Sequence, residues 1–281
     1  MIEQEIVRIP RPDSSAFALK WWAPPTPGAA VYVVVPAMGL GARFYRHLAT
    51  ALADNGCGVA LTELRGHEEI QPSIPGRQRD FGYADLADDL DAAIDEVRAR
   101  APDSPVVVVG HSLGAQLACV SVARGRTAVD ALALVAAGSV YWRLWPLRYF
   151  LLTQLFVALA TIVGHFPGRL VGFAGREARG VMRDWARLAR TGRLSYGRPL
   201  ADAGKSLAAL NLPVLVVSFH GDSLAPQRAV EGLASLVSSA QITRRHVMVD
   251  SDKPPHFAWA HAPERLVSEL REWSFDWMKL R

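Results

Sequence analysis

Short apolar runs alternate along this chain with longer stretches whose apolar residues recur every three or four positions, the pattern of strands covered by helices. Val31 to Pro36, Val59 to Glu63, Val106 to Val109, Ala131 to Ala137, Val214 to Phe219 and His246 to Val249 predict strands. Helical periodicity covers Phe44 to Asp54, Tyr83 to Arg98, Gln116 to Arg124, Pro226 to Val237 and Pro263 to Leu280. Glu5 to Ile9 and Ala16 to Trp22 predict an antiparallel opening pair, followed by a turn at Pro24-Pro25-Thr26-Pro27-Gly28. The expected architecture is α/β: a mostly parallel twisted sheet of about eight strands with helices on both faces.

From Ser139 to Leu200 the alternation stops, and about three helices follow one another without a convincing strand. That is how a helical cap inserted over one end of a sheet reads, so the expected division is a core of 1–138 and 201–281 with a cap, or lid, of 139–200. Within the cap, Tyr149 to Val163 is apolar except for Thr153, Gln154 and Thr161. As a helix this stretch spans about 22 Å, short of the roughly 30 Å of a bilayer core. A buried or pocket-lining helix is expected, with shallow insertion into a membrane surface as the alternative.

Composition narrows the setting. Half of the 281 residues are hydrophobic and 21% are charged, enough to bury a large core and too apolar for disorder. Cys57 and Cys119, the only two cysteines, sit in apolar contexts and read as small buried hydrophobes. The first residues, Met1-Ile2-Glu3-Gln4-Glu5, lack the basic and apolar regions of a secretion signal, so a cytoplasmic protein without structural disulfides is expected. The formal charge of +4 conceals an asymmetry: 139–200 holds ten arginines against Glu177 and Asp184, a net +8. Arg179, Arg183, Arg187 and Arg190 recur at helical spacing as one cationic stripe. A solvated face is the plain reading of it; contact with an anionic membrane surface or an acidic acyl-carrier partner is the sharper one. Nucleic acid is excluded as a partner, because no recognition motif or interleaved aromatic surface accompanies the charge.

The chemistry is concentrated in Gly110-His111-Ser112-Leu113-Gly114, set between the apolar run Val106 to Val109 and a helix. A serine on a strained strand-to-helix turn presents its hydroxyl clear of the sheet, and the flanking positions tolerate no side chain, which glycine satisfies. A serine hydroxyl is a weak nucleophile at neutral pH and needs a histidine base oriented by a carboxylate. Asp222, in His220-Gly221-Asp222-Ser223 after the run Val214 to Phe219, is the candidate acid. Asp250 and Asp252 are rivals that lie too near the histidine in sequence to reach it from a separate loop. His256, in Pro254-Pro255-His256-Phe257 ahead of the last helix, is the candidate base; His220 is placed to hydrogen-bond near Asp222. The oxyanion of acyl transfer calls for two backbone amides, assigned to Leu113 and, in Pro36-Ala37-Met38-Gly39-Leu40-Gly41, to Met38. With no CxxC, HExxH, dinucleotide fingerprint or phosphate loop, no metal and no cofactor is expected.

Gly110 to Gly114, Asp222 and His256 together resemble the α/β-hydrolase superfamily over nearly the whole chain. Pro36-Ala37-Met38-Gly39, Ala42-Arg43-Phe44-Tyr45, Asp184-Trp185-Ala186-Arg187 and His256-Phe257 resemble a branch of bacterial serine esterase and lysophospholipase-like hydrolases. Two departures are visible: Pro36-Ala37 stands where relatives often have His-Gly, and Glu63-Leu64-Arg65-Gly66-His67-Glu68-Glu69 stands where they often have Asp-x-Arg-Gly-x-Gly-x-Ser. The resemblance implies the fold and an acyl-enzyme mechanism. With the aromatic and apolar residues of the cap, it leads to the expectation of a serine hydrolase cleaving small-molecule esters of apolar acyl groups. An acyltransferase or thioesterase using the same acyl-enzyme is the alternative.

Overall fold

The structure, a computed structural model, describes residues 4–197, 201–238 and 240–279. Residues 198–200 at the end of the expected cap, the chain ends of the expected core, and Leu280 of the last predicted helix lie outside the described residues.

Strands β1 (Glu5–Pro10), β2 (Ala16–Trp22), β3 (Val31–Val35), β4 (Gly58–Thr62), β5 (Val106–His111) and β6 (Ala131–Val135) come first, interleaved with helices α1 (Arg46–Asp54), α2 (Tyr83–Arg100) and α3 (Leu113–Arg124). The next segment holds α4 (Leu147–Val163), β7 (His165–Pro167), α5 (Gly168–Val171), β8 (Arg176–Ala178), α6 (Arg179–Thr191) and β9 (Ser195–Tyr196). The chain then runs through β10 (Ala201–Asp202), α7 (Gly204–Ala208), β11 (Pro213–Phe219), α8 (Gln227–Ala234), β12 (Gln241–Val247), α9 (Pro255–Ala258) and α10 (Glu264–Met278). Eight strands form one sheet in the order β1-β2-β4-β3-β5-β6-β11-β12. β1 and β2 pair antiparallel, β2 meets β4 antiparallel, and every pair from β4 onward is parallel.

The period-2 alternation of a strand divides the sheet's apolar residues between two cores. Val31, Val33, Val106 and Val108 pack with Leu86, Ile94 and Leu117 of α2 and α3. Tyr32, Val34, Val107 and Val109 face the other way, onto Leu48 and Leu52 of α1 and Trp273 of α10. Val106 to Val109 are at most 1% exposed, and each such side chain contributes about 1.5–3 kcal/mol of burial free energy.

Two expectations are corrected. β12 begins at Gln241, five residues ahead of the predicted His246; Thr243, Arg244 and Arg245 are polar because this is an edge strand with one face near solvent. The 139–200 segment contains strands after all: β7 and β8 form an antiparallel pair, and β9 pairs with β10.

This segment is tied to the sheet domain by reciprocal capping of two helix N-termini. Asp184 of α6 accepts the Tyr83 amide at the start of α2 (2.9 Å), and Asp80, just ahead of α2, accepts the Gly180 amide at the start of α6 (2.7 Å). Each carboxylate meets unsatisfied amides at the positive end of the other helix.

Candidate active site

The order of strands reverses between β3 and β5, opening a crevice at their carboxyl ends, and the sequence-predicted residues converge there. Ser112 follows β5 directly. Its backbone, at φ 52° and ψ −112°, lies outside the ordinary wells of a non-glycine residue, a conformation that costs about 1–3 kcal/mol. The turn is held by the Ser112 amide donating to Val135 O (3.0 Å) and by contacts only glycine permits: a Cβ on Gly110 would lie 2.4 Å from the Ala115 backbone, and one on Gly114 2.3 Å from Val35 O.

Asp222 follows β11 and His256 stands on α9, after β12; both are 4% exposed. His256 Nδ1 lies 2.8 Å from Asp222 Oδ2, and Asp222 Oδ1 accepts the amides of Leu224 (2.9 Å) and Ala225 (3.0 Å). A carboxylate facing Nδ1 favours the tautomer with the proton on that nitrogen, leaving Nε2 as the acceptor. The carbonyl of His256 accepts Trp259 Nε1–H (2.9 Å), and the Trp259 ring stacks on Phe219 of β11. Asp250 and Asp252 are exposed. The His220 ring lies tilted against that of His246, with centroids 3.8 Å apart and planes at 44°, and no side-chain hydrogen bond of His220 near Asp222 occurs among the described residues.

Met38 lies in the loop after β3. Pro36 has no amide hydrogen and Ala37 donates its own to Tyr45 Oη (2.8 Å), so Met38 is the first residue of the loop with an amide to offer the crevice. Leu113 opens α3, where the first amides have no partner within the helix.

Periodicity gave no sign of what holds these parts together. Tyr45 is fully buried, and besides accepting from Ala37 it lies 2.8 Å from His111 Nδ1, to which its hydroxyl donates. Burial pushes the Tyr45 hydroxyl well above its usual range and holds His111 far below that of histidine, the neighbouring His256 adding to the effect on His111. His111 is therefore neutral, and its ring, 4.8 Å from that of His256, puts no positive charge beside it. Gln116, one turn along α3, also reaches the crevice: Tyr83 Oη donates to its Oε1 (2.7 Å) and its Nε2 donates to Gly138 O (3.0 Å).

Ser112 and His256 line one cavity of about 390 Å³. Its remaining wall is mainly apolar, with Met38 and Phe257 contributed by the sheet domain and Leu152, Phe156, Phe173 and Trp185 by the 139–200 segment. Among the described residues no Asp, Glu, Lys or Arg lines it.

A mostly parallel eight-stranded sheet with a strained serine turn after its central strand defines the α/β-hydrolase class. Residues 26–248 match the Hydrolase_4 family, described as serine aminopeptidase, S33, and the chain belongs to that family of hydrolases. Among solved structures it is similar to a carboxyl esterase from Bacillus coagulans (12% identity, 97% of this chain and 99% of that one, TM-score 0.67). It is also similar to an esterase from Thermogutta terrifontis (18%, 97% and 98%, TM-score 0.65). A thioesterase domain from the curacin biosynthetic pathway aligns as well (16%, 94% and 99%, TM-score 0.61). At these identities the likenesses establish the fold. No curated protein matches by sequence.

Proposed function

We propose that the protein hydrolyses carboxylic esters of apolar acyl groups through an acyl-enzyme on Ser112. The observation that carries this reading is the shared cavity: Ser112 and His256 both line a mainly apolar space with no carboxylate in its wall, and His256 is backed by Asp222. Ser112 Oγ attacks the ester carbonyl as His256 Nε2 takes its proton. The oxyanion is met by the Met38 and Leu113 amides, and the intermediate collapses with His256 returning the proton to the leaving alcohol. Water, deprotonated by His256, then releases the carboxylic acid and restores Ser112. In this reading 139–200 is a cap that supplies much of the acyl-binding wall.

The family's description names an aminopeptidase, and the same wall argues against that substrate here. A protonated substrate amine would enter a mainly apolar cavity without a carboxylate to pair with, at a cost of several kcal/mol. The test is a panel of p-nitrophenyl and glycerol esters of graded chain length beside an amino-acid p-nitroanilide, with wild type and Ser112→Ala. Hydrolysis favouring medium chains, together with fluorophosphonate labelling that disappears in Ser112→Ala, is expected. Faster turnover of the anilide, or a rate that peaks at acetyl and falls steeply by octanoyl, would overturn the substrate assignment; an alcohol acceptor that outcompetes water would convert it to acyl transfer.

A further inference from the structure

Helix α4 is apolar on two opposite faces, and only one of them has a partner. Successive residues of a helix are turned by about 100°. Tyr149, Leu152, Thr153 and Phe156 fall on one side and line the cavity. Leu147, Leu151, Leu155, Ala158 and Ile162, spaced by four, four, three and four, form a stripe on the other side. The stripe is open to solvent: Leu147 is 61% exposed, Leu151 58%, Leu155 60% and Ile162 71%. A contiguous row of this kind marks an interaction surface, since a solvated helix face is polar.

Charge decides what fits it. Arg148 projects from α4 beside the stripe, and Arg190 of α6 flanks the other side, donating to Gln154 Oε1 (2.6 Å), a neutral partner that leaves its charge uncompensated. Arg143 and Arg169 are exposed nearby in sequence, and no acidic residue occurs from Ala131 to Arg176. Two copies docked stripe to stripe would bring arginines together with no carboxylate to pair them. The stripe predicted from sequence is by contrast partly spent inside the protein: Arg179 and Arg183 both reach Asp80, at 3.2 and 3.9 Å. Exposed Trp142, ahead of α4, adds an aromatic ring suited to the boundary between headgroups and acyl chains.

We propose that the outer stripe of α4 docks the protein on an anionic lipid surface, with Leu147, Leu151, Leu155 and Ile162 in the acyl boundary and Arg148 and Arg190 on lipid phosphates. The helix lies in the plane of that surface; no helix of the described residues is long and apolar enough to cross a membrane. Because Leu152 and Tyr149 line the cavity and are themselves 41% and 38% exposed, its wall adjoins the docked face, and acyl substrates would enter from the lipid. That delivery step rests on the Ser112 reading; docking does not.

The test is co-sedimentation of Ser112→Ala protein, in which lipid turnover plays no part, with vesicles of phosphatidylcholine alone or with about 30 mol % phosphatidylglycerol. Binding is expected to the anionic vesicles, about tenfold or more weaker to neutral ones, and weakened by salt. Leu151→Glu with Leu155→Glu is expected to lower it by about tenfold or more while leaving hydrolysis of a soluble butyrate ester within about twofold, neither residue lining the cavity. Absence of anionic-vesicle binding, or undiminished binding by the double variant, overturns the proposal. So does a dimer in sedimentation velocity that the double variant converts to monomer, which would place a second copy on the stripe.

Discussion

Tyr45 joins the two loops whose amides are assigned to the oxyanion: it holds Ala37, next to Met38, and His111, next to Ser112, through one hydroxyl at 2.8 Å from each. Removing that oxygen leaves both amides in place but no longer fixes their separation, and a misplacement of about 1 Å at a reacting centre costs on the order of a hundredfold. Tyr45→Phe is therefore expected to lower kcat by about 10²-fold with KM within about threefold, in a protein whose circular dichroism is unchanged. An unchanged kcat with only a lower melting temperature would make the hydroxyl structural. Asp222→Asn keeps an oxygen for Leu224 and Ala225 but cannot accept from His256 Nδ1–H, so the tautomer reverses. Steady-state kinetics should then show kcat down by about 10⁴-fold in a folded protein. That Ser112, Asp222 and His256 gather at one end of the sheet was legible in the sequence, because the motif marks a strand-to-helix turn and the order serine, acid, histidine is the one in which this fold's loops arrive. Tyr45 and Gln116 were not, since an aromatic at a helix entry and a glutamine on a buried helix look like packing until the chain closes around them.

The strands that build the sheet's interior were legible to within two residues at each end, because a strand buried on both faces reads as an almost unbroken apolar run. The elements that shape the site's approach were not. β12 hides its first half behind edge-strand polarity, and the β7–β8 pair is three residues long on each side, below what alternation can reveal. Helix α4 reads as a buried or pocket-lining helix, and it does line the cavity; what its composition did not reveal is the second apolar face, which is exposed. What fixes α6 is equally invisible to local pattern: Asp184 and Asp80 are separated by about a hundred residues and cap each other's helices. Burial raises the Asp184 carboxyl above its ordinary value, partly opposed by the Tyr83 amide it accepts. Asp184→Ala is expected to cost about 1–2 kcal/mol, which for a chain of this size lowers the melting temperature by about 2–4 °C per kcal/mol. Calorimetry should find a smaller loss in Asp184→Asn, which keeps an acceptor oxygen for Tyr83.

Across the whole molecule, the 139–200 segment meets the loop after β3 at one tight place. A Cβ on Gly39 would lie 2.5 Å from the Gly175 amide, and one on Gly175 2.7 Å from the His67 ring. His67, on the loop after β4, closes this junction with its Nε2 3.1 Å from Glu177 Oε1 of β8, and Glu177 also accepts the Gly175 amide (3.0 Å). Burial opposes the charge on His67, but the bond and charge of Glu177, helped by Glu68 and opposed by Arg169, outweigh it and raise the imidazole above its ordinary value. A histidine raised on folding contributes stability that is complete below the unfolded value, about 6.5, and lost as pH climbs through the folded value. His111 acts in the opposite sense. Held neutral in the fold, it costs stability as pH falls below about 6.5, because the unfolded chain then binds a proton that the folded one refuses. The two contributions are separable by substitution. Glu177→Gln removes the carboxylate that raises His67 and leaves His111 untouched, so its melting temperature should fall furthest below wild type at pH near 6 and converge toward it as pH rises through the His67 transition. A gap that is the same at every pH would mean that the junction is held by packing around Gly39 and Gly175 and that the ion pair adds nothing to it.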